Sequence, residues 1–234
     1  MPARSASPRG SEKKRQPRSL GASAYDTIKR QILDNTLDPG VQILEGDLSK
    51  RLGMSRTPIR EALIRLQSEG LVEVSPRHGM RVLPVSPVDM EQIYQILTAL
   101  ESTAAEALAQ RDPSAKDLAP MVAACDAMEA ALEADDLKGW AAADEAFHGD
   151  LLNLCGNPRL AAICFNFWDQ SHRVRMITLG LRPKPVSSTK DHRALLGAIR
   201  KGDAARAREI HRAHRIAGGN MLVGLLRLYN LKSL

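Results

Sequence analysis

From Ser86 onward the chain carries apolar side chains at helical spacing and no convincing strand pattern. Only clusters of helix breakers interrupt it: Asp112-Pro113, Asp135-Asp136, Gly156-Asn157-Pro158, Arg182-Pro183-Lys184-Pro185 and Gly202-Asp203. Ser86-Pro87-Val88-Asp89 reads as a capping box that opens a long helix, with Ile93, Ile96, Leu97, Leu100 and Ala104 on its apolar face. Further helices are expected at about 114–134, 137–155, 158–180, 187–201 and 203–229. An antiparallel all-α bundle follows from that order. Aromatic content of 3% points the same way, because a core of Leu, Ile, Val, Ala and Met suits packed helices better than a β-sandwich.

With 234 residues, the chain has room for one large domain or two modest ones. No apolar run approaches the ~20 residues of a membrane span. The basic N-terminus is not followed by the apolar segment of a secretory signal, so a cytoplasmic protein is expected. Cys125, Cys155 and Cys164 are an odd set without C-x-x-C spacing, which predicts small buried thiols in a reducing compartment.

The net charge of +6 is mostly a property of one end. Residues 1–20 hold six basic side chains against Glu12 alone, residues 21–85 nine against eight acidic, and residues 86–234 eighteen of each. The tail, rich in Ser, Pro, Arg and Lys, reads as disordered. A supplementary phosphate-binding arm and an inert solubilising tail are both compatible with it.

Residues 21–86 have a different character. Tyr25, Ile28, Ile32 and Leu33 fall at helical spacing up to the Asp38-Pro39-Gly40 turn. A short helix is expected from about Glu45 to Leu52, with Leu48 and Leu52 inward and Gly53 at its end. Ser55 or Thr57 can cap a third helix, with Pro58 in its first turn, Ile59, Leu63 and Leu66 as its stripe, and Gly70 beyond its end. Two strand-like runs, Leu71–Val74 and Met80–Val85, flank the basic turn Ser75-Pro76-Arg77-His78-Gly79. Three helices and a basic hairpin are the order of a winged helix–turn–helix.

In such a fold the start of the third helix meets base edges in the major groove. Arg56 and Arg60, four apart, project there from one face, and arginine can bond guanine O6 and N7 with two parallel hydrogen bonds. Ser55 and Thr57 can bond phosphate, and Arg77, His78 and Gly79 would form the wing tip, with Gly79 permitting close approach to DNA. Lys50, Arg51 and Arg65 are weaker candidates. Taken singly, each arginine is better read as part of a solvated helix face; their clustering beside a basic hairpin favours DNA.

Residues 24–85 resemble the DNA-binding domain of the GntR family of regulators. The stretch from Leu48 to Leu63, Leu-Ser-Lys-Arg-Leu-Gly-Met-Ser-Arg-Thr-Pro-Ile-Arg-Glu-Ala-Leu, carries the likeness, together with Ile32–Gly40, Glu69-Gly70-Leu71-Val72 and the Gly79 wing. The resemblance implies that Arg56, Thr57 and Arg60 contact an operator through the major groove and that His78 and Gly79 contact it from the wing.

In the second half, Asp144 and His148 are four apart on one expected helix, and His192 and His214 lie on two later ones. One carboxylate and neutral imidazoles, if they converge, suit Zn²⁺, Ni²⁺, Mn²⁺ or Fe²⁺. By spacing alone, satisfied core or surface histidines are the commoner outcome. His172 and His211 have no comparable partners in the sequence. Residues 88–230 resemble the helical ligand-binding FCD domain of FadR-like GntR regulators, through Leu100-Glu101, Asp144-Glu145-Ala146-Phe147-His148, Gly156-Asn157-Pro158-Arg159-Leu160, Asp191-His192-Arg193, Ala198-Ile199, Gly202-Asp203 and Ala213-His214. The resemblance implies a divalent metal held by Asp144, His148, His192 and His214, and argues against an acyl-CoA effector. Leu97 departs from the pattern, because many members carry an effector-binding arginine there. Either Arg173 or Arg175 takes its place, or the effector is held mainly through the metal or is not a simple organic acid.

The expected function is therefore a metabolite-responsive repressor: a homodimer on a pseudo-palindromic double-stranded operator, with a metal and a small, carboxylate-type effector in its helical domain and no membrane association. The competing readings are a metal-dependent hydrolase, which would leave the winged helix unexplained, and an architectural DNA binder without an effector.

Overall fold

The computed structural model describes residues 20–231. The tail expected over residues 1–20 lies outside them, save Leu20, which opens α1 (Leu20–Leu33). α1 buries Ala24, Tyr25, Ile28 and Ile32, one face of a helix. α2 (Glu45–Leu52) has Glu45 and Asp47 in its first turn and Lys50 and Arg51 in its last, each matched to the helix dipole. Leu48 faces inward as expected, while Leu52 is only half-buried. α3 (Arg56–Ser68) follows Ser55, which occupies the N-cap position without a side-chain capping bond. Ile59, Ala62, Leu63 and Leu66 are buried, and α3 packs on α1.

β2 (Val72–Ser75) and β3 (Gly79–Val82) form the antiparallel wing, with Ser75 opposite Gly79. A further strand, β1 (Gln42–Ile43), pairs with the other edge of β3, so the sheet order is β1-β3-β2. Two residues are too few for an alternating pattern to be visible in sequence.

α4 (Pro87–Gln110) begins with the expected capping box: Asp89 N–H donates to Ser86 Oγ at 3.1 Å, and Ser86 N–H donates to the Asp89 carboxylate at 2.8 Å. α5 (Ala119–Glu133), α6 (Leu137–Leu154), α7 (Pro158–Ile177), α8 (Val186–Arg200) and α9 (Ala204–Leu228) complete the bundle, with one 3-10 turn at Leu179–Leu181. α5 starts later than the periodicity suggests. Ser114 and Asp117 close a local turn, and Pro120 lacks the N–H that a continuous helix would direct at the Lys116 carbonyl. α4 lies along α9, α5 along α6, and α8 against α9. One apolar cluster gathers around Met128, Trp140, Phe147 and Leu195, the other around Met90, Leu97, Trp168 and Leu226.

All three cysteines are free and buried. Burial pushes the Cys125 thiol up to about 11 and Cys164 to about 12, so neither is a thiolate at neutral pH. Among the described residues no helix is long and apolar enough to cross a membrane.

The winged helix meets the bundle along α7. Lys29 Nζ lies 2.5 Å from Asp169 and 2.9 Å from Glu69, and Gln170 donates to the Glu69 carbonyl at 3.0 Å. Burial alone would lower the Lys29 ammonium, but hydrogen bonds to Asp169, Tyr25 and Glu69 hold it above the ordinary lysine range.

Candidate metal centre and DNA-binding surface

The helical period places Asp144 and His148 on the inward face of α6, among Trp140, Phe147 and Leu151. α8 brings His192 to them and α9 brings His214, so that one ligand atom from each of the four lies within 4.8 Å of the others. His192 Nε2 is 3.2 Å from His148 Nε2 and 3.3 Å from Asp144 Oδ1.

The outward nitrogen of His192 fixes which of its atoms faces the centre. His192 Nδ1 is 2.6 Å from the Ser188 carbonyl, which can only accept; Nδ1 therefore carries the proton and Nε2 presents its lone pair inward. His148 Nδ1 is 3.4 Å from Glu101, a contact that falls short of a hydrogen bond, and His214 Nδ1 is 3.6 Å from Asp191. The Ser188 bond to His192 is of the kind that orients metal-ligating histidines, and His148 and His214 each have a carboxylate oxygen nearby. Two inward nitrogens 3.2 Å apart need a proton or a cation between them. The donor set, three imidazoles and a carboxylate, fits a borderline divalent ion.

Burial alone would raise the Asp144 carboxyl, yet its Arg175 partner holds it well below the usual carboxylate range. Burial lowers His192 and His214, keeping both neutral, which is the form that ligates metal.

Behind this set sits a polar cluster that the sequence reading did not assemble. Arg215 grips Glu101 with hydrogen bonds of 2.7 Å from Nε and 2.6 Å from Nη2. Trp168 donates to the same carboxylate at 2.8 Å, and His211 lies 3.0 Å from it. His211 is thus a satisfied core histidine; burial pushes it down to about 3. The available signal was His211, His214 and Arg215 sharing one helix. His172 faces Glu145 at 3.1 Å near the surface.

A cavity of about 200 Å³ opens beside Asp144, His148 and His214. Tyr94, Leu137, Trp140, Leu179 and Met221 line its apolar side, and Arg175 and Arg182 its polar side. Of the two arginines expected at an effector, Arg175 reaches the cavity but is committed to Asp144. Arg173 requires a correction. It is fully buried on another face of α7, where Nη1 donates to the Leu83 carbonyl at 2.7 Å, because a residue two positions along a helix turns far from its neighbour. Leu97 is packed in the apolar core.

In the winged helix, Ser55, Arg56, Thr57 and Arg60 are exposed together at the start of α3. Arg60 Nε donates to Glu45 at 2.8 Å and remains open to solvent. Arg77 and His78 are exposed at the hairpin turn, Arg77 with φ 67. Gly79 is the second correction. It is buried at φ +76, and a Cβ there would sit 2.1 Å from the Ile43 carbonyl oxygen, so the glycine admits β1 and not a DNA backbone. Lys50 and Arg51 are exposed on α2, whereas Arg65 stacks over the Tyr25 ring at 3.7 Å.

Compared with known families, residues 20–82 match the gntR family of bacterial regulatory proteins and residues 92–217 match the FCD domain. The chain belongs to the GntR family of transcription regulators. This GntR regulator is 47% identical over 135 residues to an uncharacterised HTH-type transcriptional regulator of Agrobacterium vitis in the TAR-I ttuE-ttuC' intergenic region, covering 56% of this chain and 78% of that one. It is 29% identical over 202 residues to the transcriptional repressor GlaR of Escherichia coli, covering 81% and 90% respectively. Among solved structures, E. coli McbR/YncC shares its fold with a TM-score of 0.76 at 23% identity, over 89% of this chain and 99% of that one. GntR regulators bind DNA and are not enzymes, so the hydrolase reading falls away.

Proposed function

We propose that this GntR regulator is a metabolite-responsive repressor that pairs as a homodimer on a pseudo-palindromic operator and binds a divalent metal and a small carboxylate-type effector. In this reading residues 21–86 bind DNA, residues 87–234 bind ligand and dimerise, and the protein acts in the cytoplasm. The observation that carries it is the convergence of Asp144, His148, His192 and His214 beside a cavity, in a bundle joined to the winged helix through α7.

Arg56, Thr57 and Arg60 enter the major groove, Ser55 bonds phosphate, and Arg77 and His78 reach the backbone or minor groove from the wing. Two-fold symmetry of the protein matches the symmetry of the operator. Asp144, His148, His192 and His214 hold Zn²⁺, Ni²⁺, Mn²⁺ or Fe²⁺, and the ion when bound supplies a positive centre that an effector oxygen can ligate. Arg175 neutralises and positions Asp144, Ser188 fixes the His192 ring, and Glu101 and Asp191 lie beside the His148 and His214 rings. An effector that prefers one arrangement of the bundle shifts the spacing of the two winged helices and hence operator affinity.

Native mass spectrometry of freshly purified protein tests the assembly, and binding to duplexes selected from random sequence tests the reading head. A dimer carrying one ion per chain is expected, with Arg56→Ala and Arg60→Ala each losing roughly tenfold or more in preference for the selected duplex. A monomer that takes up no added Zn²⁺, or variants that keep full selectivity, would contradict the proposal.

A further inference from the structure

The cationic side chains that line the cavity have carboxylate partners, with one exception. Asp144 is paired with Arg175, and Glu101, behind His148, with Arg215; at the mouth Lys184 is paired with Asp135. Arg182 also lines the cavity, and among the described residues it forms no ion pair with a carboxylate. Its Nη2 donates to the Arg175 carbonyl at 2.7 Å, and its buried Nε has no hydrogen-bond partner at all. Burial, and next the nearby Arg175 charge, pull this guanidinium down to about 10, so it is still a cation at neutral pH. Leaving such a group unpaired is unfavourable, and an incoming anion removes the penalty.

The backbone holds the group where it is. Arg182 precedes Pro183 and has the extended conformation that a following proline imposes, φ −89 and ψ 149. Sequence reading treats this Arg-Pro-Lys-Pro segment only as a helix breaker. A divalent ion on the four-residue centre would make the cavity more positive still, because Arg175 already balances Asp144.

We propose that Arg182 anchors the anionic group, carboxylate or phosphate, of the ligand that occupies this cavity. The inference rests on the proposed reading of the cavity as an effector site, and it deepens that reading by naming the residue and the charge class. An anion accepts hydrogen bonds from Nε and the guanidinium fork while Leu179 and Met221 cover the remainder of the molecule. At about 200 Å³ the space is smaller than the cavities that hold drug-sized ligands, so the ligand is a compact organic acid or phosphate ester.

The test uses full-length, Zn²⁺-loaded protein and the smallest probes, so that no carbon skeleton is presupposed. Acetate and inorganic phosphate are titrated calorimetrically, with acetamide as the uncharged control, into wild type, Arg182→Gln and Arg182→Lys. Metal content and melting temperature are measured on each. At least one anion is expected to bind wild type, acetamide not to bind, Arg182→Gln to weaken the anion roughly tenfold or more, and Arg182→Lys to recover part of the loss. The stronger of the two anions distinguishes a carboxylate from a phosphate ligand. Anion binding that survives Arg182→Gln, or metal-loaded wild type that binds neither anion, would overturn the role of Arg182 while leaving the metal centre intact. Failure to retain Zn²⁺ in the wild type would instead defeat the underlying reading of the cavity.

Discussion

Arg173 and Arg175 stand two residues apart on α7 and serve different halves of the molecule. Arg175 pairs with Asp144 at the candidate metal centre, while Arg173 donates to the Leu83 carbonyl just beyond the wing. Asp169 and Gln170, earlier on the same helix, grip Lys29 and the Glu69 carbonyl. On the proposed reading, a ligand that displaces Arg175 would act on the seat of the winged helix through α7, which is stiff over this length.

Arg173→Met tests that path. Two of its nitrogens, Nε and Nη2, are buried without partners, so a well-packed methionine removes an uncompensated cation. The melting temperature is expected to stay level or rise, whereas the response of operator affinity to Zn²⁺ and anion shrinks. Calorimetry and fluorescence anisotropy with a labelled duplex measure the two effects separately.

Lys29→Met acts in the opposite sense. It leaves Asp169 without its lysine partner and Glu69 with Arg65, 3.4 Å away, as its remaining cation, both carboxylates being mostly buried. A loss of roughly 2 kcal/mol is expected, and Asp169→Asn in the same chain should recover much of it. Urea unfolding of the single and double variants gives the coupling.

The fold was readable where periodicity is long and punctuated. α2, the capped start of α4, and the limits of α6 and α8 follow from apolar spacing and breakers. The two-residue strand β1 was not readable, because its existence depends on the edge of β3 and not on its own pattern. Gly79 illustrates the same limit: sequence shows a glycine in a basic turn, but only the fold shows that Ile43 occupies the space it leaves. At the centre, the i, i+4 pair Asp144 and His148 was visible, and so were His192 and His214. The Glu101–Arg215–His211 cluster joins α4 to α9 across more than a hundred residues, which no local spacing encodes. Arg182 was hidden for another reason: Pro183 and Pro185 mark the segment as a helix breaker, and no local spacing shows that the fold turns this guanidinium into the cavity.

Glu101→Gln should weaken the metal without touching it. The carboxylate stands 3.4 Å behind His148 Nδ1, and exchanging it for an amide removes a negative charge beside that ring. A loss of about 10–100-fold in Zn²⁺ affinity is expected from that change, read by competition with a chromophoric chelator. Asp144→Asn, which alters a direct ligand and strands Arg175, should lose more.

Acid sensitivity of the metal-free protein follows from His211. Its folded value of about 3 lies below the ordinary value near 6.5, so between those two the unfolded chain binds the extra proton. Stability therefore falls as pH drops below about 6.5, by on the order of 2 kcal/mol at pH 5 from this group alone. Urea midpoints at pH 8 and pH 5 should differ accordingly, and the difference should narrow in His211→Gln.

X-ray absorption at the zinc edge of the Zn²⁺-loaded regulator examines the metal centre without intermediaries. Three imidazole nitrogens, from His148, His192 and His214, and oxygen from Asp144 are predicted at about 2.0–2.2 Å. A shell of oxygens with one imidazole or none, or a shell containing sulfur, would contradict it.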